Sequence, residues 1–313
     1  MSCSAAIVFP GQGSQHLNML SQGSILDIAQ SSEYSQLVEY CSNLVSLDFF
    51  KLVETGPEEL LNRTSITQPV LLLISYLHYQ KLIEKINLNP VLFAGHSLGE
   101  YSALVAANSL TIEDALNLVR VRGLLMEEAD NGSMAAILGL ELSVIQGVCQ
   151  EVFGKHSFEV QCANINTPTQ TVISGTEEGV QIAQELCIEK GAKRAIRLNV
   201  SIASHSILMK PLKDKFSEVI SSTNFKLPTT TVLHNVTYGE SSNIDELKEV
   251  LVKQLYSPVQ WVKTCQKILE LNSPVIECGP GKVIAGLLKA NGVNDYFSTS
   301  DVNFYEKILE HVK

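Results

Sequence analysis

Apolar and polar positions alternate in blocks along this chain, and the period of the blocks changes partway. The first block, "AAIVFPGQGSQ", is a short unbroken apolar run that ends in a glycine-rich segment. That pattern predicts a buried strand feeding a loop. Three segments with helical spacing follow: "SSEYSQLVEYCSNLV", "PEELLNRT" and "TQPVLLLISYLHYQKLIEKI". "PVLFAGHS" predicts a second buried strand, and "GEYSALVAANSL" a helix directly after it. "TIEDALNLVRVRGLLMEEAD" predicts a further helix, with Thr111 as its cap and Asp114 in its first turn. Buried strands alternating with helices predict an α/β fold on a mostly parallel sheet.

From Gly132 the rhythm is different. "SMAAILGL" reads as a strand, "ELSVIQGVCQEVF" as a helix, "FEVQCANI" and "TQTVISG" as two strands, "TEEGVQIAQELCIEKG" as a helix and "KRAIRLNV" as a strand. The order βαββαβ is the ferredoxin-like unit. We expect residues 132–200 to form a small domain inserted into a large one made of residues 1–131 and 201–313. The alternative is that these strands extend the main sheet. Beyond the insertion, "SHSILMKPLKDKFSEVISS" predicts a helix and "TTTVLHNVTY" a strand. "NIDELKEVLVKQLYSPVQWVKTCQKILEL" predicts two helices split near Pro258, and "PVIECGPGKVIAGLLKA" a strand, a glycine turn and a helix.

Composition narrows the function classes. Hydrophobic residues are 45% of the 313 positions, enough for a large buried core. The formal net charge of −10 argues against a nucleic-acid partner, which needs a basic footprint. The seven cysteines are scattered with no CxxC and no His/Cys ligand spacing, so we expect reduced thiols in a cytoplasmic protein and no zinc site. The N-terminus lacks a basic region ahead of its short apolar run, as a signal peptide requires. The apolar stretch "PVLLLISYL" is well short of a membrane-spanning helix.

Candidate chemistry centres on "GHSLG" at residues 95–99. A strand entering this pattern and a helix leaving it is the setting of a nucleophile elbow, with Ser97 lifted clear of the sheet edge. A plain tight turn is the alternative. A serine nucleophile needs a base, and the histidines are His16, His78, His96, His156, His205, His234 and His311. His205 sits where the chain leaves the small domain, at an interdomain position where sites collect, and is one candidate among several. Only five arginines are present, and Arg120 and Arg122 lie on an otherwise apolar helix. Residues two apart face differently, so at most one of them points to the core. There it would need a carboxylate, either an internal ion-pair partner or that of a substrate. "FPGQGSQ" has neither the lysine of a phosphate loop nor GxGxxG spacing, so Gln12 and Gln15 are candidates for shaping a pocket instead. "ECGPGKV" reads as a tight strand–helix turn.

Taken together, "FPGQGSQ", "GHSLGEYSAL", the "RG" after an apolar helix, "MAAILGL", "SHSILMKP", "QLYSPVQW" and "ECGPGKV" resemble the malonyl-CoA:acyl-carrier-protein transacylase family. The resemblance runs from about Ile7 to Leu288. It implies an α/β-hydrolase-like large domain with a ferredoxin-like insertion. It further implies Ser97 as nucleophile, His205 as base and Arg122 as the grip on the malonyl carboxylate. Gln12 and the backbone amide of Leu98 would form the oxyanion hole. The main-chain carbonyl of Gln254 would accept the His205 ring N–H in place of a triad carboxylate, and Asn164 and Asn166 would line the pocket.

The implied substrates are malonyl-CoA and the phosphopantetheine thiol of acyl carrier protein, with no metal or redox cofactor. Carrier proteins are acidic, and the segment Lys190–Lys215 concentrates Lys190, Lys193, Arg194, Arg197, Lys210, Lys213 and Lys215 against a single Asp214. This basic segment is a candidate docking surface, or an ordinary solvated one. Ala203 and Ser204, ahead of His205, are small enough to leave room for a branched extender. A polyketide acyltransferase, a serine thioesterase and an inactive scaffold remain as alternatives.

Overall fold

The computed structural model describes residues 3–129 and 131–311. Nine strands make two sheets: β1 (Cys3–Phe9), β2 (Leu88–Gly95), β3 (Ser133–Leu138), β4 (Val160–Thr167), β5 (Gln170–Gly175), β6 (Arg194–Arg197), β7 (Val232–Leu233), β8 (Val275–Glu277) and β9 (Tyr296–Ser298). The larger sheet is parallel throughout, in the order β7-β2-β1-β8-β9. Its central strand explains the unbroken apolar run at the start of the chain. Ala5, Ile7 and Phe9 pack into the core on one face, and Ala6 and Val8 into the core on the other. A parallel strand covered on both sides has no solvent face on which to place polar residues.

The smaller sheet is antiparallel in the order β4-β5-β3-β6, the ferredoxin-like order for a βαββαβ unit. Its helices, Leu142–His156 and Glu177–Glu189, close a separate core of Ile137, Ile145, Val148, Ile173 and Val180. These strands do not extend the main sheet. The two crossings between the units run side by side: Asn131 bridges Ile202, and the Gly132 N–H donates to the Ser201 carbonyl at 3.0 Å. β4 is the outer strand of the small sheet, and its free edge is also used. The Val259 N–H donates to the Ala163 carbonyl at 2.8 Å, and the Ile165 N–H to the Val259 carbonyl at 2.9 Å.

Several elements depart from expectation for identifiable reasons. The helix expected over 204–222 is a 3₁₀ turn at Ile207–Leu212 followed by an α-helix at Lys213–Ser222. Pro211 removes a backbone donor there, and His205 stands outside any helix with φ 59°. The strand expected over 229–238 shrinks to Val232–Leu233, because His234 and Asn235 turn inward to a buried carboxylate. "PEELLNRT" is helical only over Glu58–Leu61, and Thr64 opens the next helix, Thr64–Lys85. Helix Ile112–Glu128 begins as expected, with the Thr111 side chain accepting from the Asp114 N–H. Asp130, the last residue of that expected helix, lies outside the described residues, as do Met1, Ser2, Val312 and Lys313 at the expected domain limits. "ECGPGKV" is the tight turn expected: Glu277 accepts from the Ile284 and Ala285 N–H groups, both at 2.9 Å, and so caps the start of helix Val283–Ala290.

Candidate active site

β2 ends at Gly95 and a helix starts at Gly99, so Ser97 sits at the apex of the turn between them. Its φ of 52° is a left-handed conformation that a non-glycine residue adopts only when its surroundings impose it. The two glycines make the turn possible. A Cβ on Gly95 would lie 1.9 Å from the Gly99 carbonyl carbon, and one on Gly99 would lie 2.2 Å from the Phe9 carbonyl oxygen. Side chains at these positions would push the elbow off the sheet. The pattern is thus a geometric requirement of the turn, and the turn holds the serine hydroxyl outward.

The structure brings His205 to Ser97, with Nε2 2.7 Å from Oγ. None of the other six histidines contacts the Ser97 hydroxyl among the described residues. His205 Nδ1 lies 2.8 Å from the Gln254 main-chain carbonyl, which can only accept. Nδ1 therefore carries the proton, and Nε2 is left to accept from the serine hydroxyl. Burial holds His205 well below the usual histidine range, at about 3, and the nearby Arg122 charge adds to the effect. The imidazole is therefore neutral at physiological pH.

Arg122 is 1% exposed. The neighbouring Gly123 lets its helix approach helix Thr64–Lys85 closely: a Cβ there would meet the Ser65 Cα at 2.5 Å. Arg122 thereby reaches Gln68. Its Nη1 donates to Gln68 Oε1 at 2.8 Å and its Nη2 to Gln254 Oε1 at 3.0 Å, while the guanidinium lies 5.5 Å from the Tyr101 ring centroid. Arg120 faces away, as the spacing implies, and donates to the Ser65 carbonyl. The expected internal ion pair is not found. Among the described residues Arg122 has no carboxylate within ion-pair distance, and its Nε–H has no partner. A buried cation held by two neutral amides is costly, and an anion entering beside it would offset that cost.

Gln254 organises the site beyond its carbonyl. Its side-chain Nε2 donates to the Ser97 carbonyl at 3.0 Å and to Glu100 Oε2 at 2.6 Å, while its Oε1 takes Arg122. Glu100 is fully buried one helical turn beyond the serine. It also accepts from His234 Nδ1 at 2.8 Å and from the Asn235 N–H at 3.1 Å. Asn235 in turn takes the Ser97 N–H on its Oδ1 and donates from Nδ2 to the Gly95 carbonyl, both at 2.6 Å. Sequence reasoning missed Glu100, Asn235 and Gln68. The available signal was polar residues set in otherwise apolar runs: "TQPVLLL", "GEYSALVAA" and "VLHNV".

The other expected residues fall around this centre. Leu98 is buried at the helix start, and its N–H has no partner among the described residues. Gln12 is exposed and donates to Thr64 Oγ1 at 3.2 Å. It lines a cleft of about 680 Å³ with Asn62, Arg63, Arg197 and Ser201, between the two units. Asn166 Oδ1 is 2.8 Å from His96 Nε2, so β4 reaches the residue beside the serine. Asn164 lies on the same strand, bridged to Val259. Gln15 turns away to Asn62.

Comparison with known proteins fits this geometry. The acyl transferase domain family matches residues 6–289. The chain is 41% identical over 312 residues to a malonyl CoA-acyl carrier protein transacylase of Haemophilus influenzae, covering 95% of this chain and 97% of the relative. It is 42% identical over 288 residues to the protein of that name from Bacillus subtilis, covering 91% and 89%. A solved malonyl CoA-acyl carrier protein transacylase from Coxiella burnetii superimposes with a TM-score of 0.90 at 36% identity, covering 100% of this chain and 98% of that one. A malonyl-transacylase solved in complex with its type II PKS acyl-carrier protein gives 0.91 at 40% identity, covering 99% and 100%. A serine–histidine pair beside a buried arginine that has no carboxylate partner among the described residues, on this fold and with this likeness over nearly the whole length, means that the chain belongs to the acyl transferase domain family, among the malonyl CoA-acyl carrier protein transacylases.

Proposed function

We propose that this chain transfers the malonyl group from malonyl-CoA to the phosphopantetheine thiol of acyl carrier protein, through an acyl-enzyme on Ser97. The observation that carries the reading is Arg122: a buried guanidinium without a carboxylate partner among the described residues, joined through the Gln254 side chain to the backbone of Ser97. In this mechanism the Ser97 oxygen attacks the thioester carbonyl as its proton passes to His205 Nε2. The free Leu98 N–H, with Gln12, stabilises the tetrahedral oxyanion. His205 returns the proton to the departing coenzyme A thiol. The carrier thiol then gives its proton to His205 and attacks the acyl-enzyme, and Ser97 leaves with that proton. Arg122 pairs with the malonyl carboxylate, and Asn164 and Asn166 line the pocket from the small unit. We take residues 132–200 as that unit and 1–131 with 201–313 as the catalytic one, in a cytoplasmic enzyme.

Intact-mass measurement tests this. Malonyl-CoA is expected to add one malonyl group, Ser97→Ala to abolish the adduct, and acetyl-CoA to label poorly. Equal acetyl and malonyl labelling would remove the role of Arg122. Rapid loss of the adduct to water, unaffected by carrier protein, would favour a thioesterase.

For the carrier, the reading is that the exposed basic side chains of the Lys190–Lys215 segment steer an acidic partner. Lys190, Arg197 and Lys215 are engaged with Glu151, Glu177 and Glu128. Lys193, Arg194, Lys210 and Lys213 form no ion pair among the described residues. Reversing Lys210 and Lys213 to glutamate is expected to slow transfer to carrier protein several-fold at low salt. Unchanged rates and unchanged salt dependence would rule the segment out.

A further inference from the structure

His205 stands on a backbone that no regular element holds. Its φ of 59° takes it out of both helix and strand, and the 3₁₀ turn begins only at Ile207. Two carbonyls of the large unit tie the segment down, with the His205 N–H donating to that of Leu255 at 3.0 Å and the ring to that of Gln254, while Ser206 Oγ closes back on the Ala203 carbonyl at 2.7 Å. The remaining tie comes from the small unit. Gln161, on β4, donates from Nε2 to the His205 carbonyl at 3.1 Å and accepts on Oε1 from the Ile207 N–H at 3.0 Å. One side-chain amide thus satisfies a donor and an acceptor on either side of Ser206, as a strand neighbour would.

We propose that Gln161 is a positioning residue for the base: it fixes the left-handed backbone of His205 so that Nε2 meets the Ser97 hydroxyl. This rests on the Ser97–His205 reading above. Two further features support it. The same strand is stitched through Ala163 and Ile165 to Val259, close in sequence to the Gln254 carbonyl that orients the ring, so β4 supports both the backbone and the ring partner of His205. Gln161 also borders an open surface groove with Phe153 and Pro258, which Ser97 does not line, so shortening it opens no void in the core. The small unit, on this view, contributes to the base as well as to the walls of the pocket.

The experiment compares wild type, Gln161→Ala and Gln161→Glu by the rate of Ser97 labelling with a small alkyl fluorophosphonate, and by kcat and KM for malonyl loading. Gln161→Ala is expected to lower both the labelling rate and kcat by about 10- to 100-fold, with KM for malonyl-CoA within about twofold. Gln161→Glu keeps the shape of the side chain, but as a carboxylate it cannot donate to the His205 carbonyl. Its kcat/KM is expected to rise as pH falls and the carboxyl gains a proton, over a range in which wild type stays flat. Labelling of Gln161→Ala at the wild-type rate, or a loss confined to KM, would overturn the proposal. If the alanine variant does not fold, a glutamate variant with the wild-type pH profile overturns it equally. His205→Ala separates the two readings. If wild type labels and His205→Ala does not, the pair stands and only Gln161 is on trial. If both label alike, the pair fails and the role of Gln161 falls with it.

Discussion

Two buried histidines lie close to Ser97, and they are partnered in opposite ways. His234 gives its Nδ1 side to the carboxylate of Glu100, which anchors Asn235 and Gln254 as well. His205, the residue that meets Ser97, gives its Nδ1 to a neutral main-chain carbonyl. The carboxylate of the site is thus committed to the scaffold, and His205 has none among the described residues. A carboxylate beside His205 would raise its affinity for a proton and place negative charge in a pocket proposed to take an anionic acyl group. With a carbonyl partner the imidazole keeps the right tautomer without that charge, and the local field is set by Arg122 instead. Orientation and charge, which one aspartate supplies in a Ser-His-Asp triad, are here divided between two groups.

The sharpest way to break this comparison is to remove each histidine in turn. His205→Ala is expected to slow malonyl loading by at least about 10³-fold with little change in thermal stability. His234→Ala is expected to do the reverse, lowering the melting temperature while leaving substantial loading in the folded fraction. Comparable kinetic losses in the two variants would mean that the scaffold histidine takes part in the chemistry.

Next comes the carboxylate. Glu100→Ala leaves the Asn235 N–H, the Gln254 amide and His234 facing a buried gap, and is expected to cost about 3–5 kcal/mol in urea unfolding. Glu100→Gln can keep some of these bonds and should cost less. If the alanine variant is as stable as wild type, Glu100 is not the anchor described.

The pH dependence should be the gentlest effect. Because His205 is held at about 3 in the free protein, kcat/KM is expected to stay flat as pH falls past the ordinary histidine value of 6.5. An anionic acyl group beside Arg122 would cancel part of the charge that depresses His205, so the acid limb of kcat should lie higher than that of kcat/KM. Stability follows the same group with a definite sign. Between 6.5 and about 3 the unfolded chain protonates its histidines while His205 and the equally buried His78 stay neutral. The unfolded state then binds more protons, so stability is full above this window and falls as pH is lowered through it. Urea titrations at pH 7.5 and 5 should show that fall, and it should shrink in His205→Ala.

Much of this was legible in the chain. The unbroken apolar strands, the glycines at 95 and 99 and the βαββαβ order each follow from local rules, and the structure contains them. Ser97 could be proposed from its strand–turn–helix setting, whereas choosing His205 over the other histidines needed the family resemblance. The carboxylate hub left only a faint trace, polar residues inside apolar runs, for a physical reason. Glu100 is distant in sequence from His234, Asn235 and Gln254, and none of them alone names its partners. They become buried only because they satisfy one another, which no periodicity records. Gln161 was hidden differently, since a half-buried polar residue on an outer strand reads as solvent-facing until the other unit is docked against it. Helix Phe49–Thr55 and β9 lack a strong pattern of their own, and β9 pairs only with β8 at the sheet margin.

The paired crossings at Asn131–Gly132 and Ser201–Ile202 carry a consequence for how the chain assembles. Because the inserted unit leaves and re-enters the catalytic unit at hydrogen-bonded neighbours, the larger fold experiences it as a closed turn. Once folded, the insertion has already brought its two ends together, so the loop-closure entropy across it is settled within the insertion itself. The parallel sheet, whose strands come from both ends of the chain, can then form as though the insertion were a short hairpin. The small unit becomes a cassette, closed on itself and tied back to the His205 segment through Gln161.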